Sequence, residues 1–211
     1  MIINMKSFIC NVNDETELYF YLTHHALGKA PQILTDQFQV ILTSRGMVVD
    51  TTRVNDMKTV FKDLPPLLPL TEIFLCCKVV RKGGMSMKES MMVTQLKSKD
   101  KDKKSNDAND LRRPFGLAVL NVGSAGIKRG KEVENMMPIY RHSKDENQFS
   151  SLFDLVQRKS RDVEEVPKSK GISVGLNMLT GSWEDHAGAN RELATIPVTL
   201  PLAIGEEEPA G

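Results

Sequence analysis

Short stretches in which apolar residues alternate with polar or aromatic ones recur along most of the chain. Residues 17–22 alternate leucine and phenylalanine with tyrosine, which predicts an aromatic-rich strand buried on both faces. The same alternation, or a short apolar block, predicts further strands at 38–42, 71–80, 115–122 and 172–179. Turn-forming residues such as the Arg45-Gly46 pair separate them. Roughly six strands of this kind predict a mainly β protein, either an antiparallel β-sandwich or a partly open barrel.

One segment has the periodicity of a helix. Four apolar residues recur at positions i, i+3, i+4 and i+7: Phe149, Leu152, Phe153 and Val156. Ser143 and Glu146 have the spacing of a capping box, and three basic residues suit the C-terminal end of the helix dipole: Arg158, Lys159 and Arg161. We expect one helix that covers an end of the sandwich, with recognition of a partner as the alternative.

Two segments have compositions that oppose a packed structure. Residues 97–110 combine five lysines with four aspartates and hardly an apolar side chain, which predicts a long, mobile, charged insert. Residues 186–211 form a proline-rich and acidic tail, in which Pro197 and Pro201 exclude a central strand. The chain is therefore expected to divide into a sandwich module at 1–185 and an irregular tail at 186–211.

The charge balance narrows the possible partners. The 28 lysines and arginines nearly equal the 27 aspartates and glutamates, giving a net charge of +1. This argues against a dedicated nucleic-acid-binding protein, which needs an excess of basic charge on one face. The three cysteines favour a reducing, cytoplasmic compartment. The apolar runs are too short for a membrane helix, and no signal peptide is apparent, so any membrane contact is expected to be peripheral.

A glycine-rich segment at 125–132 (AGIKRGKE) has a superficial likeness to a phosphate-binding loop. Such a loop needs a serine or threonine hydroxyl for magnesium after its lysine. Glu132 occupies that place and would repel phosphate, so the segment is interpreted as a connection. ATP or GTP binding stays only as a hypothesis to test.

The other candidate residues also favour structural roles. His24 and His25 are adjacent and would point to opposite faces of a strand, while His142 and His186 lack nearby ligands, so all four are expected in solvated loops. Cys76 and Cys77 lie in an apolar strand and should act as small hydrophobes. Gly181-Ser182-Trp183 is not a nucleophile elbow. Lysines interleave the possible calcium ligands of the insert: Asp100, Asp102, Asp107 and Asp110. We expect no catalytic, cofactor-binding or metal-binding residue.

A series of blocks, in order and at matching spacing, resembles one known family. The most specific is LRRPFGLAVLNV at 111–122, and the others are SFICNVNDETELYFYL at 7–22, LTDQFQVIL at 34–42, VFKDL at 60–64, IFLCCKVVRKGGM at 73–85, and segments 149–160 and 172–185. Together they are similar to the N-terminal region of the dedicator-of-cytokinesis (DOCK) family of exchange factors for Rho-family GTPases. In that family the region precedes the lipid-binding C2-type region.

The resemblance implies a C2-like sandwich that serves as a non-catalytic scaffold within an exchange factor for Rac or Cdc42. The family's Src-homology-three, lipid-binding and exchange regions lie outside the matching blocks. The chain is therefore expected to be a fragment or truncated product that has no exchange activity and no cofactor. Its implied partner is the rest of the parent exchange factor, and the GTPase and any adaptor would bind other regions. The alternative is a free-standing cytosolic sandwich that binds a protein or a membrane.

The strand at 115–122 carries a specific structural prediction. Arg112 and Arg113 should anchor the end of the insert, in an ion pair rather than facing a partner, and Pro114 should set the start of the strand. Four apolar residues should then bury in the core, each contributing about 1.5–3 kcal/mol: Phe115, Leu117, Val119 and Leu120. Deletion of residues 98–109 should leave the melting temperature nearly unchanged.

Overall fold

The computed structural model describes residues 1–49, 57–83, 111–143, 149, 151–188 and 193–199. These residues form twelve strands: β1 (Ile2–Ile9), β2 (Glu15–His24), β3 (Gln32–Ile33), β4 (Phe38–Leu42), β5 (Lys58–Lys62), β6 (Ile73–Lys82), β7 (Arg112–Asn121), β8 (Val133–Met137), β9 (Ile139–His142), β10 (Val163–Glu165), β11 (Gly171–Asn177) and β12 (Ala194–Pro197). Two short helices accompany them: α1 (Leu152–Gln157) and α2 (Trp183–Ala187). The prediction of a mainly β fold is confirmed.

The strands form two sheets. The first sheet has the order β12-β5-β1-β11-β8, and the second has the order β10-β9-β7-β6-β2-β3, with β4 also paired to β2. All these pairings are antiparallel except the parallel contact of β12 with β5. Antiparallel pairs suit a layered sandwich, because each strand can turn one face to the core.

Apolar residues of both sheets meet in one core. Leu18, Phe20 and Leu22 of β2 have no exposed surface, and they share this core with Ile3 of β1 and Phe61 of β5 in the first sheet. The alternation at 17–22 therefore directs its aliphatic and phenylalanine side chains between the sheets. Burial of each such side chain contributes about 1.5–3 kcal/mol.

The outer face of the second sheet carries a smaller apolar cluster under α1. Its buried members are Tyr21, Phe74, Cys76, Leu117 and Leu152, and Phe149 and Phe153 pack against them. Burial of Tyr21 on this side confirms that residues around 17–22 are covered on both faces. The helix thus lies over the outer face of a sheet rather than over an end of the sandwich.

The helix is shorter than its apolar period suggested. Phe149 precedes it, and its N-cap is Ser151, which has a left-handed φ of 58° and makes no side-chain capping hydrogen bond. Ser143 is therefore not the cap, and Glu146 lies outside the described residues. Arg158 is the C-cap, so two of the predicted basic residues, Lys159 and Arg161, follow the helix.

The start of β7 differs from the prediction. The strand begins at Arg112, so Pro114 is its third residue and not its first. Val79 pairs with Gly116 whereas Val80 pairs with Pro114, which places a β-bulge at this point. A proline lacks the N–H that a regular ladder needs, and a bulge is one place in a sheet where that loss is tolerated.

The bulge also changes how the side chains of β7 are distributed. Phe115 and Ala118 join the core between the sheets, whereas Leu117 joins the cluster under α1. Val119 packs against that same outer cluster, and Leu120 packs against the main core; both are half-buried. The four apolar residues predicted for one core are thus divided between two.

Several elements were not expected from the pattern. No strand was predicted at β5 (Lys58–Lys62), and β12 occupies 194–197 within the segment predicted to be irregular. Pro197 is the last residue of β12, which lies at the edge of the first sheet, so the exclusion of a central strand is respected. No helix among the described residues has the length and apolar character needed to cross a bilayer.

Candidate interaction surfaces

The connections at one end of the sandwich assemble around a single turn of 3-10 helix, Leu70–Glu72. The backbone N–H of His25 donates to the carbonyl of Glu72 at 2.8 Å, and that of Gly123 donates to the carbonyl of Leu70 at 2.9 Å. A Cβ on Gly123 would lie 2.8 Å from the backbone of Thr71, so this approach requires glycine. We call this region, formed by residues 25–31, 63–72 and 122–132, the leucine end.

Two open hollows lie at the leucine end. One, of about 730 Å³, is bounded by residues 27–31, by Phe74 and by the last turn of α1. The other, of about 530 Å³, is bounded by Pro65 and Pro66 on one side and by Trp183 of α2 on the other. Both volumes are in the range of small-ligand sites. Their linings mix acidic, basic and apolar side chains, which selects no ligand class.

A buried carboxylate dominates the opposite end of the second sheet. Glu17 has no exposed surface, yet it lies on the outer face of β2. It accepts hydrogen bonds from the Tyr19 hydroxyl at 2.7 Å and from Arg112 Nη2 at 3.0 Å, and Lys82 Nζ lies 3.7 Å away. The predicted ion pair of Arg112 is thus present. Burial, followed by the bond to Glu17, raises the pKa of Tyr19.

A second buried ion pair lies beside the first. Arg81 is 2% exposed, and its Nη1 lies 3.3 Å from Oδ2 of Asp14, whose side chain is 10% exposed. Lys82, the next residue, also binds the more exposed Glu15 at 2.6 Å. A buried arginine is tolerated only with such a partner, because an unpaired charge in the interior costs several kcal/mol. We call this region, formed by residues 14–17, 81–82 and 112–113, the charged end.

The histidines lie in the folded elements more than in solvated loops. His24 ends β2, and its Nε2 lies 2.9 Å from Glu72 Oε2. His25 packs against Phe74 and Phe153, with ring centroids 6.2 and 5.4 Å away. His142 lies in β9 and His186 in α2. His24, His142 and His186 thus lie in regular elements rather than in loops, whereas His25 lies in the connection after β2, where aromatic side chains from other elements pack against its ring.

The glycine-rich segment at 125–132 forms a turn and not a phosphate-binding loop followed by a helix. Lys128 and Lys131 form an antiparallel bridge, and β8 follows directly. Glu132 lies over the first sheet, where it is ion-paired with Lys6 and accepts a hydrogen bond from Asn4 Nδ2 at 3.1 Å. Partial burial opposes ionisation, but these bonds prevail and hold the pKa of Glu132 below its ordinary value. A phosphate-binding loop continues into a helix, and this one does not.

Ser182, Asp185 and His186 lie together without forming a hydrolytic triad. The Ser182 hydroxyl donates to Asp185 Oδ2 at 3.1 Å. In addition, the Ser182 backbone N–H donates to the same carboxylate oxygen at 3.0 Å, and the Asp185 N–H donates to the Ser182 hydroxyl oxygen at 3.4 Å. This reciprocal pair is a capping box at the start of α2. The His186 ring contacts the carbonyl of Thr180 at 2.7 Å. A nucleophilic serine needs a base that accepts its proton, and here its proton is directed to a capping carboxylate.

The paired cysteines are buried as predicted. Cys76 and Cys77 have no exposed surface and lie on opposite faces of β6. Burial raises the pKa of Cys76 to about 12 and raises that of Cys77 as well. A thiol that stays protonated is a poor nucleophile and a poor metal ligand.

The possible calcium ligands of the insert, Asp100 to Asp110, lie outside the described residues, as does the whole of 97–110. Across the part of the chain that the structure describes, no three histidine, cysteine, aspartate or glutamate side chains are grouped to hold a metal ion.

Comparisons with known proteins identify the family of the chain. The family profile described as DOCK N-terminus matches residues 1–195. The chain belongs to the DOCK N-terminus family. It is 24% identical over 207 residues to human "Dedicator of cytokinesis protein 3", covering 96% of this chain and 10% of that protein. It is 22% identical over 186 residues to human "Dedicator of cytokinesis protein 4", covering 87% of this chain and 8% of that protein.

The DOCK N-terminus match confirms the family that the sequence blocks suggested. It extends ten residues past 185, where the recognisable blocks ended, and so reaches the start of β12. The chain spans about a tenth of the length of these relatives. The buried pair of Arg81 with Asp14 and the burial of Glu17 were missed by sequence reasoning. The sequence feature that came nearest to indicating these buried charges was the Arg112-Arg113 pair, in the block at 111–122 that resembles the family.

Proposed function

We propose that this chain is the non-catalytic N-terminal scaffold of a DOCK-type guanine nucleotide exchange factor in Rho-family GTPase signalling. The family match over residues 1–195 carries the proposal, together with the small share of the relatives' length that the chain covers. The scaffold presents a sandwich to the rest of the parent protein, with which it shares a cytoplasmic location. Rac or Cdc42 and any adaptor bind other regions of the parent.

The geometry supports a scaffold rather than an enzyme. The charged groups with the deepest burial, Glu17 and Arg81, are engaged with partners inside the fold. Ser182, which has Asp185 and His186 close to it in sequence, is used in a helix cap. Catalysis needs groups aimed at a substrate, and these groups are aimed at each other.

Nucleotide release from Rac and Cdc42 tests the absence of exchange activity. Each GTPase is loaded with a fluorescent GDP and mixed with the purified chain. We expect release at the intrinsic rate, because the scaffold supplies no group to the nucleotide site. Release well above that rate contradicts the proposal, and a full-length relative provides the positive control.

A chimera separates the scaffold from the alternative of a free-standing sandwich. The corresponding N-terminal region of human "Dedicator of cytokinesis protein 3" is replaced by this chain. A scaffold should restore the yield and exchange activity that deletion of that region removes. A chimera no better than the deletion favours the alternative, as would transcripts that all stop after Gly211 with no exchange region downstream.

A further inference from the structure

Two leucine side chains are more exposed than any other large apolar side chain that the structure describes. Leu27 is 100% exposed and Leu67 is 92% exposed. Leu27 lies in the connection between β2 and β3, and Leu67 lies between β5 and β6. Single exposed leucines are common, but two almost fully exposed leucines on connections at the same end of a sandwich indicate that this end contacts an apolar environment.

Strand register places these connections side by side. His24 pairs with Ile73, so β2 ends where β6 begins, and Phe74 pairs with Asn121, so β7 ends at the same level. The hydrogen bonds of His25 and Gly123 to the 3-10 helix then join the three connections. Leu27, Leu67 and the loop at 122–131 therefore project from one end of the molecule.

Basic side chains lie on two of the three connections at this end. Lys29 follows Leu27 closely, and three exposed basic residues lie on the third connection: Lys128, Arg129 and Lys131. The acidic residue of this third connection, Glu132, is ion-paired with Lys6. The acidic side chains of the other two connections are engaged: Asp63 lies 3.7 Å from Lys62, and Glu72 contacts His24. The leucine end thus carries four basic and three acidic residues, and each of the three acids already contacts a basic side chain.

We propose that the leucine end binds the surface of an anionic phospholipid bilayer. Leu27 and Leu67 insert at the boundary between headgroups and acyl chains, and the basic residues contact the headgroups. A fluid bilayer accepts two separate apolar tips without a matching surface, whereas a protein partner needs a continuous, closely packed patch. Each basic residue close to an anionic surface strengthens binding about fivefold. This inference does not depend on exchange-factor membership.

Co-sedimentation of the full chain with vesicles tests the proposal. Vesicles of phosphatidylcholine with phosphatidylserine are compared with vesicles of phosphatidylcholine alone. We expect binding to the anionic vesicles that decreases as salt is raised, and much weaker binding to the neutral ones. The double variant L27S/L67S should weaken binding about tenfold or more, because both apolar anchors are lost. K128E/R129E should weaken it at least as much, because two attractive charges become repulsive.

The matched control lies at the opposite end. Arg45 and Met47 are exposed residues of the turn after β4, and Leu42 at the end of β4 pairs with Thr16 near the start of β2. R45E/M47S makes the same kinds of change there and should bind like the unaltered chain. All the altered side chains are exposed, and circular dichroism checks that each variant is folded.

Three results would overturn the proposal. The first is that the chain does not sediment with anionic vesicles. The second is that R45E/M47S weakens binding as much as L27S/L67S does. The third is that L27S/L67S binds like the unaltered chain, which would show that the leucines do not insert and that charge alone holds the chain on the vesicles.

Discussion

The two ends of the sandwich use charge in opposite ways. At the charged end, Glu17 and Arg81 are buried, and each is satisfied by a partner from another part of the chain. At the leucine end, the basic side chains of 128–131 are exposed and stand beside apolar residues that nothing in the described chain covers. Charged residues are thus paired inside the fold at one end, whereas at the other end they are exposed and can contact a partner.

This difference between the two ends explains why the net charge of the whole chain indicated little about its function. The nearly neutral composition is an average over the two ends. At one end the charges are paired and cancel, and at the other the basic residues are open to solvent. Paired, buried charges are needed together, because removing one partner leaves the other uncompensated in the interior. Exposed charges contribute little to stability and are therefore free to serve binding.

The largest expected effect separates the core from the leucine end. Phe115→Ala, at 5% exposure, should lower the free energy of unfolding by about 3–5 kcal/mol, because it leaves a cavity between the sheets. Leu27→Ala should change it by less than about 0.5 kcal/mol. Urea unfolding of both variants measures the contrast. Equal losses would mean that Leu27 packs in the folded protein and would contradict its exposure.

The next effect tests whether the charges of the charged end are structural. Asp14→Ala should cost about 3 kcal/mol, because Arg81 then stays buried without its carboxylate partner. Glu15→Gln provides the neighbouring control and should cost less than about 1 kcal/mol, since Glu15 is 42% exposed where it meets Lys82. Equal values for the two variants in thermal unfolding would show that burial of the pair is not important.

A smaller loss of stability is expected on removal of Arg112, whose ion pair was predicted from the sequence. Arg112→Ala should lower stability by about 1 kcal/mol, because the arginine is 64% exposed while Lys82 and Tyr19 continue to satisfy Glu17. High salt should reduce the difference between the two proteins. A loss as large as that of Asp14→Ala would mean that Arg112 alone neutralises Glu17.

The smallest effect concerns Glu132 at the margin of the leucine end. Its pKa lies below the ordinary glutamate value because of Lys6 and Asn4, so its contribution to stability is present above that ordinary value. The contribution is lost as the pH falls through the lowered pKa of the folded state. Titration of the carboxyl by NMR should give a low pKa that returns toward the ordinary value in Lys6→Met. A pKa unaffected by Lys6→Met would remove the lysine as its cause.

Local pattern predicted the regular strands well. The limits of β4 at Phe38–Leu42 match the prediction because its alternation of apolar and polar residues is uninterrupted. Strand β12 was missed because its four residues include a proline and because its partner, β5, lies far away in sequence. The bulge at Pro114 depends on how β6 pairs with β7 across the intervening segment. Alternation within one strand carries no information about that register.

The interaction surfaces were harder to predict than the strands. The burial of Glu17 as a charged residue was not foreseen, because its partner Arg112 is 95 residues away in the sequence. His25 does lie in a loop, but the packing of its ring was not predicted, because its aromatic neighbours, Phe74 and Phe153, come from two other elements. Leu27 was unremarkable in sequence, since only the fold shows that it shares one end with Leu67.

Hydrogen–deuterium exchange of the chain with and without anionic vesicles tests the contrast between the two ends most directly. The account predicts added protection of backbone amides in 25–31, 63–72 and 122–132, and unchanged exchange in 14–17, 81–82 and 112–113. Protection confined to the charged end, or no protection at the leucine end, would contradict it.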